Sequence, residues 1–515
     1  MDAKLLQELK DRRKKAQAGA GEAKYAERRA KGLMSARDRI EAILDPGSFN
    51  EIGLHVKHRC RDFGMEEKDV PGDGVVTGLG TIDGRGVGLA SQDFTLVGGS
   101  LGRKHAEKMV EVLSQCMRVG VPFVEINDSG GARIQEGVES LSGYGDVFFG
   151  NVQASGVIPQ IAVICGPCAG GAAYSPALCD FVIMTRNGAN MYICGPEVIK
   201  AACYQDVTKD DIGHADVHAS VSGNAHFAVN DDEEAMQLVR RLLSFLPSNN
   251  MMDPPHNLSC PIPNEVDNEL ASIMPMTNNE AYDVKKILLR IVDDADFLEV
   301  QERFAPSIIV GFARIGGVVT GIVANQPAVK AGTLDIDASD KAARFIMFCN
   351  SFNIPITTFV DTPGYLPGLQ QERGGIIRHG AKLLYAYSMS TVPKLTVITR
   401  KAYGGAYIAM ASKHLGSDGV YLWPTAEIAV MGAEQAVRIL YRREIDGAAD
   451  GKEKQQTLAQ QYRDRFSSPY QTASLGFAND VIDPAETRTV LARALRTNLT
   501  KRQSILPRKN GNMPV

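Results

Sequence analysis

Four short, largely apolar runs stand out along the chain: 122–128 (PFVEIND), 159–165 (PQIAVIC), 355–361 (PITTFVD) and 393–399 (PKLTVIT). Each is bounded by turn residues and lacks the strict alternation of a half-exposed strand. Each therefore predicts a strand covered on both faces, as in a parallel sheet. Helix-like stretches precede the first and third runs, at 101–120 and 338–353. The order in each half is helix, buried strand, glycine turn, helix, buried strand, glycine turn, helix. The predicted class is α/β, built twice.

The two halves also match residue by residue. VIPQIAVICGPCAGGA (157–172) and TVPKLTVITRKAYGGA (391–406) align at a constant offset of 234, so that Gly170-Gly171-Ala172 fall on Gly404-Gly405-Ala406. VPFVEINDSGG (121–131) and IPITTFVDTPG (354–364) align at an offset of 233, which pairs Asp128 with Asp361 and Gly131 with Gly364. Lys108 and Lys341 correspond in the preceding helices. Several of these identities are not glycine, which favours an internal duplication over chance similarity between glycine-rich segments. A proline- and asparagine-rich stretch at 246–279 separates the halves and predicts the linker, with domains at 1–258 and 265–505.

Composition narrows the class further. The 515 residues carry 56 Lys and Arg against 60 Asp and Glu, a net charge of −4, so no strong basic field invites nucleic acid. The N-terminus (MDAKLLQELKDRRKKAQAG) is charged, without an apolar signal core, and no window reaches ~18 apolar residues. A cytoplasmic protein with no membrane span is expected. Residues 1–31 predict an exposed charged helix, either a solvated face or a contact arm for a partner subunit. Nine cysteines, mostly in apolar runs, fit buried thiols better than disulfides. Cys165-Gly-Pro-Cys168 has redox spacing, but small residues in a packed passage explain it more simply.

Glycine, at 50 residues, is about a tenth of the chain against a usual ~7%. A strand that ends in Gly-Gly before a helix presents the first helical N–H groups, which have no intrahelical acceptor, backed by the positive end of the helix dipole. Glycine removes the Cβ that would block a ligand oxygen. Two such N–H groups make an oxyanion hole. Two matched holes suggest two substrates whose carbonyl oxygens both gain negative charge; close helix–strand packing is the purely structural alternative.

Other catalytic signatures are missing. There is no P-loop and no dinucleotide fingerprint. His214 and His218 have metal-compatible spacing but no accompanying ligands, so no metal is expected. Gly98-Gly-Ser100-Leu-Gly102 fits a nucleophile elbow between the strand-like 93–97 and a helix, which keeps a serine hydrolase using Ser100 as an alternative of a different class.

Taken together, GDGVVTGLGTIDGR, NDSGGARIQEGVESLSGYGDVF, GPCAGGAAYSPALCDFVIM, PGYLPGLQQERGGIIRHGAKLLYAY, TVPKLTVITRKAYGGAY and WPTAEIAVMGAEQAV resemble the carboxyltransferase (β) subunits of biotin-dependent acyl-CoA carboxylases, closest to the propionyl-CoA carboxylase and methylmalonyl-CoA carboxyltransferase group. The resemblance spans nearly the whole chain. It implies two tandem crotonase-like (ClpP/crotonase) ββα-superhelix domains, the first binding acyl-CoA and the second carboxybiotin. It also implies a homohexamer, with active sites between the first half of one subunit and the second half of its neighbour. The implied activity moves a carboxyl group from carboxybiotin to the α-carbon of a short acyl-CoA, propionyl-CoA and/or acetyl-CoA.

The resemblance assigns the thioester oxyanion to N–H groups near Gly170, Gly171 and Ala172, helped by Gly131 beside Ala132. It assigns the ureido oxygen of biotin to N–H groups at Gly405 and Ala406, beside Gly364 and Tyr407. No side-chain base is then required. Tyr144 lines the acyl pocket or packs in the core. Ile408 stands where an aspartate accompanies propionyl-CoA preference in the family, and an apolar residue accompanies relaxed or acetyl-type preference. Biotin would arrive on a separate biotin carboxylase or carboxyl carrier partner, since this chain holds no biotin-acceptor AMKM segment. A methylmalonyl-CoA decarboxylase or transcarboxylase subunit is the alternative within the same fold.

Overall fold

The computed structural model describes residues 2–264, 266–275, 277–278 and 280–515. Residues 265, 276 and 279, which fall in the expected linker and at the expected start of the second domain, lie outside the described residues. The chain divides into two compact units, Met1–Met252 and Asp253–Val515.

In unit 1 the strands are β1 (Asn50–Ile52), β2 (Val75–Ile82), β3 (Arg85–Gln92), β4 (Phe123–Ser129), β5 (Gln160–Ala169), β6 (Phe181–Thr185), β7 (Asn190–Tyr192) and β8 (Phe227–Val229). They form one sheet in the order β1-β2-β3-β4-β5-β6-β8, with β7 also on β5. In unit 2 the strands are β9 (Phe297–Val300), β10 (Ile308–Ile315), β11 (Val318–Asn325), β12 (Ile356–Thr362), β13 (Lys394–Tyr403), β14 (Gly419–Leu422), β15 (Glu427–Ala429) and β16 (Asp480–Val481). Their order is β16-β14-β13-β12-β11-β10-β9, with β15 on β13. Read from the opposite edge, the second sheet repeats the first.

Each sheet is mixed. β2–β3 and β10–β11 are antiparallel hairpins, and the next strands in each unit are parallel. Both hairpins close on two residues with left-handed φ, Asp83 and Gly84 in one, Gly316 and Gly317 in the other. That pattern is a type I′ turn, whose twist matches the strands it joins. Past its leading proline, each expected apolar run lies in a parallel strand, with every residue of β4 and β12 buried.

Helices α1 (Arg103–Val119) and α2 (Val138–Ala154) lie on the first sheet, and α3 (Ile336–Ser351) and α4 (Ile376–Met389) on the second. The spacing of Ala106, Met109, Val112, Leu113 and Cys116 puts one face of α1 into the core with Tyr144, Val147 and Ala154 of α2. In unit 2, Phe312 of β10 meets Phe345 of α3 at 5.0 Å between ring centroids. Each fully buried apolar side chain of this size stabilises by about 1.5–3 kcal/mol relative to exposure.

The charged N-terminus departs from a single helix. It forms two, Ala3–Gln17 and Glu22–Ala30, neither with a buried residue. The 93–97 segment also differs from the expected strand: Asp93 caps the N–H of Thr95 at 3.0 Å and turns the chain into a short 3-10 turn at Val97–Gly99. Aspartate satisfies local N–H groups in this way and so competes with strand pairing.

Candidate oxyanion turns

β5 runs into a 3-10 turn at Gly170–Ala173, and β13 runs into a short helix at Gly404–Ala409. Gly170 and Gly404 adopt φ of +62° and +58°, so both chains reverse through the left-handed region at the same place. A side chain there would be strained, which explains why both turns open on glycine. The next N–H groups, Gly171 and Ala172 in one turn and Gly405 and Ala406 in the other, precede the first intrahelical acceptors. Ala172 and Ala406 are buried, Gly171 is half-buried and Gly405 is exposed, so the turns stand at the surface of their units.

A second glycine follows the neighbouring strand in each unit, Gly131 after β4 and Gly364 after β12. Gly131 adopts φ +100°, and a Cβ on it would stand 2.8 Å from the carbonyl oxygen of Ala169. Its N–H donates to Ser129 Oγ at 3.1 Å, as that of Gly364 donates to Thr362 Oγ1 at 3.3 Å. The flanking segments are stitched alike: Leu101 pairs with Ala132, and Leu334 with Tyr365.

An aromatic ring stands beside the second glycine of both turns, from different chain positions. A Cβ on Gly171 would lie 3.1 Å from the Tyr144 ring; one on Gly405 would lie 3.8 Å from the Tyr365 ring. Tyr144 comes from α2, is 4% exposed, and its hydroxyl has no hydrogen-bond partner. Burial pushes its phenol up. Tyr365 comes from the loop after Gly364, donates to the Gly380 carbonyl at 3.3 Å, and is pushed up to about 12 by burial. Tyr407 is half-buried, with an unpartnered hydroxyl and a phenol raised by burial, and Ile408 beside it is exposed. Tyr365 was not expected from sequence, because nothing in its local pattern marks a loop tyrosine as a neighbour of Gly405.

A cavity of about 400 Å³ opens directly after the first turn, lined by Ala173, Tyr174, Met191, Ile193, Cys194 and His218 among others. Its walls are mainly apolar, as in pockets that take small organic groups. At the other turn, Gly405 bares a main-chain face that the Tyr365 ring flanks.

The remaining sequence candidates have structural partners. Ser100 Oγ donates to the Val97 carbonyl at 2.8 Å and accepts from Arg133 Nε at 3.3 Å, an arrangement that supplies no general base. His218 is bonded to the Met191 carbonyl and Ser222 Oγ, and His214 Nδ1 caps the N–H of Asp216. Cys165 and Cys168 are buried and free, and burial raises both thiols. Among the described residues no cluster of three or more His, Cys, Asp or Glu is placed to hold a metal ion, and no helix is long and apolar enough to cross a membrane.

Residues 27–513 match the family model of the carboxyl transferase domain. The chain is 53% identical over 99% of its length to the propionyl-CoA carboxylase carboxyltransferase subunit of Haloferax mediterranei, covering 99% of that protein. It is 52% identical over 98% of its length to the methylmalonyl-CoA decarboxylase subunit alpha of Veillonella parvula, covering 98% of it. It also superposes on a crystal structure of the transcarboxylase 12S hexamer, solved with methylmalonyl-coenzyme A and methylmalonic acid bound, with a TM-score of 0.96 and 51% identity over 99% of this chain and 98% of that one.

Proposed function

The chain belongs to the carboxyl transferase family, as a biotin-dependent acyl-CoA carboxyltransferase subunit, and from that premise we propose that its two glycine turns divide the reaction between them. Its units are tandem crotonase-like domains. The turn at Gly170–Ala172, with Gly131 beneath it, receives the thioester carbonyl of a short acyl-CoA. The turn at Gly405–Ala406, with Gly364 and Tyr365 beside it, receives the ureido carbonyl of biotin.

One observation carries this reading: two turns of the same backbone geometry, 234 residues apart, each opening on a left-handed glycine at the end of a bulged parallel strand. Preorganised N–H groups stabilise an oxygen that becomes negative and need no reorganisation as the charge develops. The Gly171 and Ala172 N–H groups would hold the thioester oxygen as negative charge develops on it, and the α-carbon proton would pass to the biotin nitrogen that has released its carboxyl group, so no side-chain base is required from this chain. The Gly405 and Ala406 N–H groups hold and orient the second carbonyl. Bound biotin, brought by a separate carrier protein, supplies the transferable carboxyl group. Tyr144 walls the acyl side, and Ile408 gives the second turn an apolar flank that accommodates acetyl- as well as propionyl-CoA.

The transcarboxylase relative is a hexamer. We propose the same assembly here, with the acyl-CoA half of one subunit facing the biotin half of its neighbour. Identity to a methylmalonyl-CoA decarboxylase subunit supports a second reading, in which the same turns remove a carboxyl group from the acyl-CoA and the partner proteins set the direction.

The test is transfer from methylmalonyl-CoA to free biotin by the purified chain. Ala172→Pro and Ala406→Pro each delete one N–H and should each cost ~10²–10³ in rate, while Ser100→Ala retains activity. Unimpaired proline variants, or a covalent acyl adduct on Ser100, would overturn the assignment.

A further inference from the structure

Each strand that carries a glycine turn arches over one buried aspartate. Pairing of β4 with β5 jumps from Asn127↔Ile164 to Ser129↔Cys168, so residues 165–167 bow outward opposite Asp128. Pairing of β12 with β13 jumps from Val360↔Ile398 to Thr362↔Ala402, so residues 399–401 bow outward opposite Asp361. Such bulges bend a strand and re-aim the residues beyond them. Here the two turns come within a few residues of the bulges. Asp128 and Asp361 are 1% and 2% exposed.

The two carboxylates are held differently. Asp361 is satisfied by its own arch: the Lys401 N–H donates to Oδ1 at 3.1 Å and Arg400 Nε to Oδ2 at 2.9 Å. At the offset of 234, Lys401 corresponds to Pro167, which has no N–H, and Arg400 to Gly166, which has no side chain. A Cβ on Gly166 would stand 2.0 Å from Asp128 Oδ1, so the arch around Asp128 admits only glycine at that place. The missing cation comes from the N-terminal helices. Arg39, on helix Ala36–Ile43, donates Nη1 to Asp128 Oδ2 at 3.0 Å, and Arg28, on helix Glu22–Ala30, donates Nη2 to the same oxygen at 2.5 Å. Asp128 Oδ1 has no hydrogen-bond partner. The Cys165-Gly-Pro-Cys168 sequence is thus the shape of an arch that wraps a carboxylate.

We propose that these carboxylate–guanidinium pairs are positioning residues, one set for each turn: Arg28 and Arg39 with Asp128 for the acyl-CoA side, and Arg400 with Asp361 for the biotin side. The inference rests on the assignment of the turns above. It gives the charged N-terminal segment a role, since helix Glu22–Ala30 sets the acyl-CoA turn through Arg28 without touching substrate. Without Arg400 the buried Asp361 loses the guanidinium that pairs it, whereas without Arg28 Asp128 keeps Arg39 and loses one of two guanidinium bonds; in both cases the arch relaxes. The N–H groups beyond the arch move with it, and a misplacement of 1 Å can cost about 10²-fold.

The experiment measures KM for methylmalonyl-CoA and for free biotin separately, with the full-length chain and its Arg28→Ala, Arg28→Lys, Arg400→Lys and Arg400→Gln variants, alongside the Tm of each. Arg28→Ala should raise KM for methylmalonyl-CoA about tenfold and leave KM for biotin unchanged, with Arg28→Lys recovering part of the loss. Arg400→Lys and Arg400→Gln should do the converse. Variants that transfer carboxyl groups but move both constants equally, or neither, overturn the pairing, as does a fall in Tm with both constants unchanged. Failure of the unsubstituted chain to transfer would instead overturn the turn assignment, and the pairing with it.

Discussion

Lys108 and Lys341, 233 residues apart in the chain, are buried at matching places and direct their ammonium groups at main-chain carbonyls. Nζ of Lys108 donates to the carbonyls of Gly72 and Val75 at 2.9 and 2.5 Å. Nζ of Lys341 donates to those of Gln301, Phe304 and Ile308 at 2.9, 2.8 and 2.8 Å. Each lysine ties the chain entering its antiparallel hairpin to the helix that carries it, α1 or α3.

Replacing Lys341 by Met preserves the apolar stem and removes three hydrogen bonds, although the Gln301 carbonyl keeps the Phe304 N–H at 3.1 Å. A hydrogen bond is worth about 0.5–1.5 kcal/mol net, so the three lost should cost about 1.5–4.5 kcal/mol, against about 1–3 kcal/mol for the two lost in Lys108→Met. Urea unfolding of both variants checks the order. Equal or negligible losses would show that water replaces the lysine at no cost.

The glycines of the two turns should respond differently to a methyl group. Neither Gly171 nor Gly405 has the positive φ that strains other residues, so the difference is steric. Gly171→Ala forces a Cβ to 3.1 Å from the Tyr144 ring, which is itself buried and cannot swing away. Overpacking of this kind costs about 1–3 kcal/mol. Gly405→Ala meets Tyr365 only at 3.8 Å and gains about 0.4–1 kcal/mol by restricting the unfolded chain. Thermal midpoints should therefore fall for the first variant and hold or rise for the second. Tyr144→Phe should not rescue Gly171→Ala, because the contact is with ring carbons.

Glu125 supplies a pH signature. It is 1% exposed, and burial raises its carboxyl above the ordinary 4.5. Ser175 Oγ lies 2.8 Å from Glu125 Oε2 and 3.0 Å from Asn151 Oδ1. One hydroxyl proton cannot serve both acceptors, so a protonated Glu125 donates to Ser175 and Ser175 donates to Asn151. Above pH 4.5 the unfolded chain loses this proton while the folded chain keeps it, so stability from this group declines as pH rises toward the folded value. Glu125→Gln, which donates at any pH, should fold with stability within about 1 kcal/mol of the parent and remove that decline. Urea midpoints between pH 5 and 8 measure it; an unchanged slope would mean that Glu125 is ionised in the fold.

The sequence by itself determined the repeated part of this protein. Apolar runs read as parallel strands, and paired glycines read as turns, because both are written in the local chain: strand burial needs consecutive apolar residues, and a left-handed reversal needs glycine. The offset of 233–234 then exposed the duplication, down to Lys108 with Lys341 and Asp128 with Asp361. What those aspartates do was not legible. Arg28 lies 100 residues from Asp128, and Arg400 lies 39 from Asp361. No periodicity links them, and the two halves recruit their arginines from unrelated elements. Tyr144 and Tyr365 reach their glycines in the same unmatched way. Tertiary structure decided these contacts because a buried charge or a bare glycine needs a neighbour in space, and packing supplies it from whichever segment of chain lies closest.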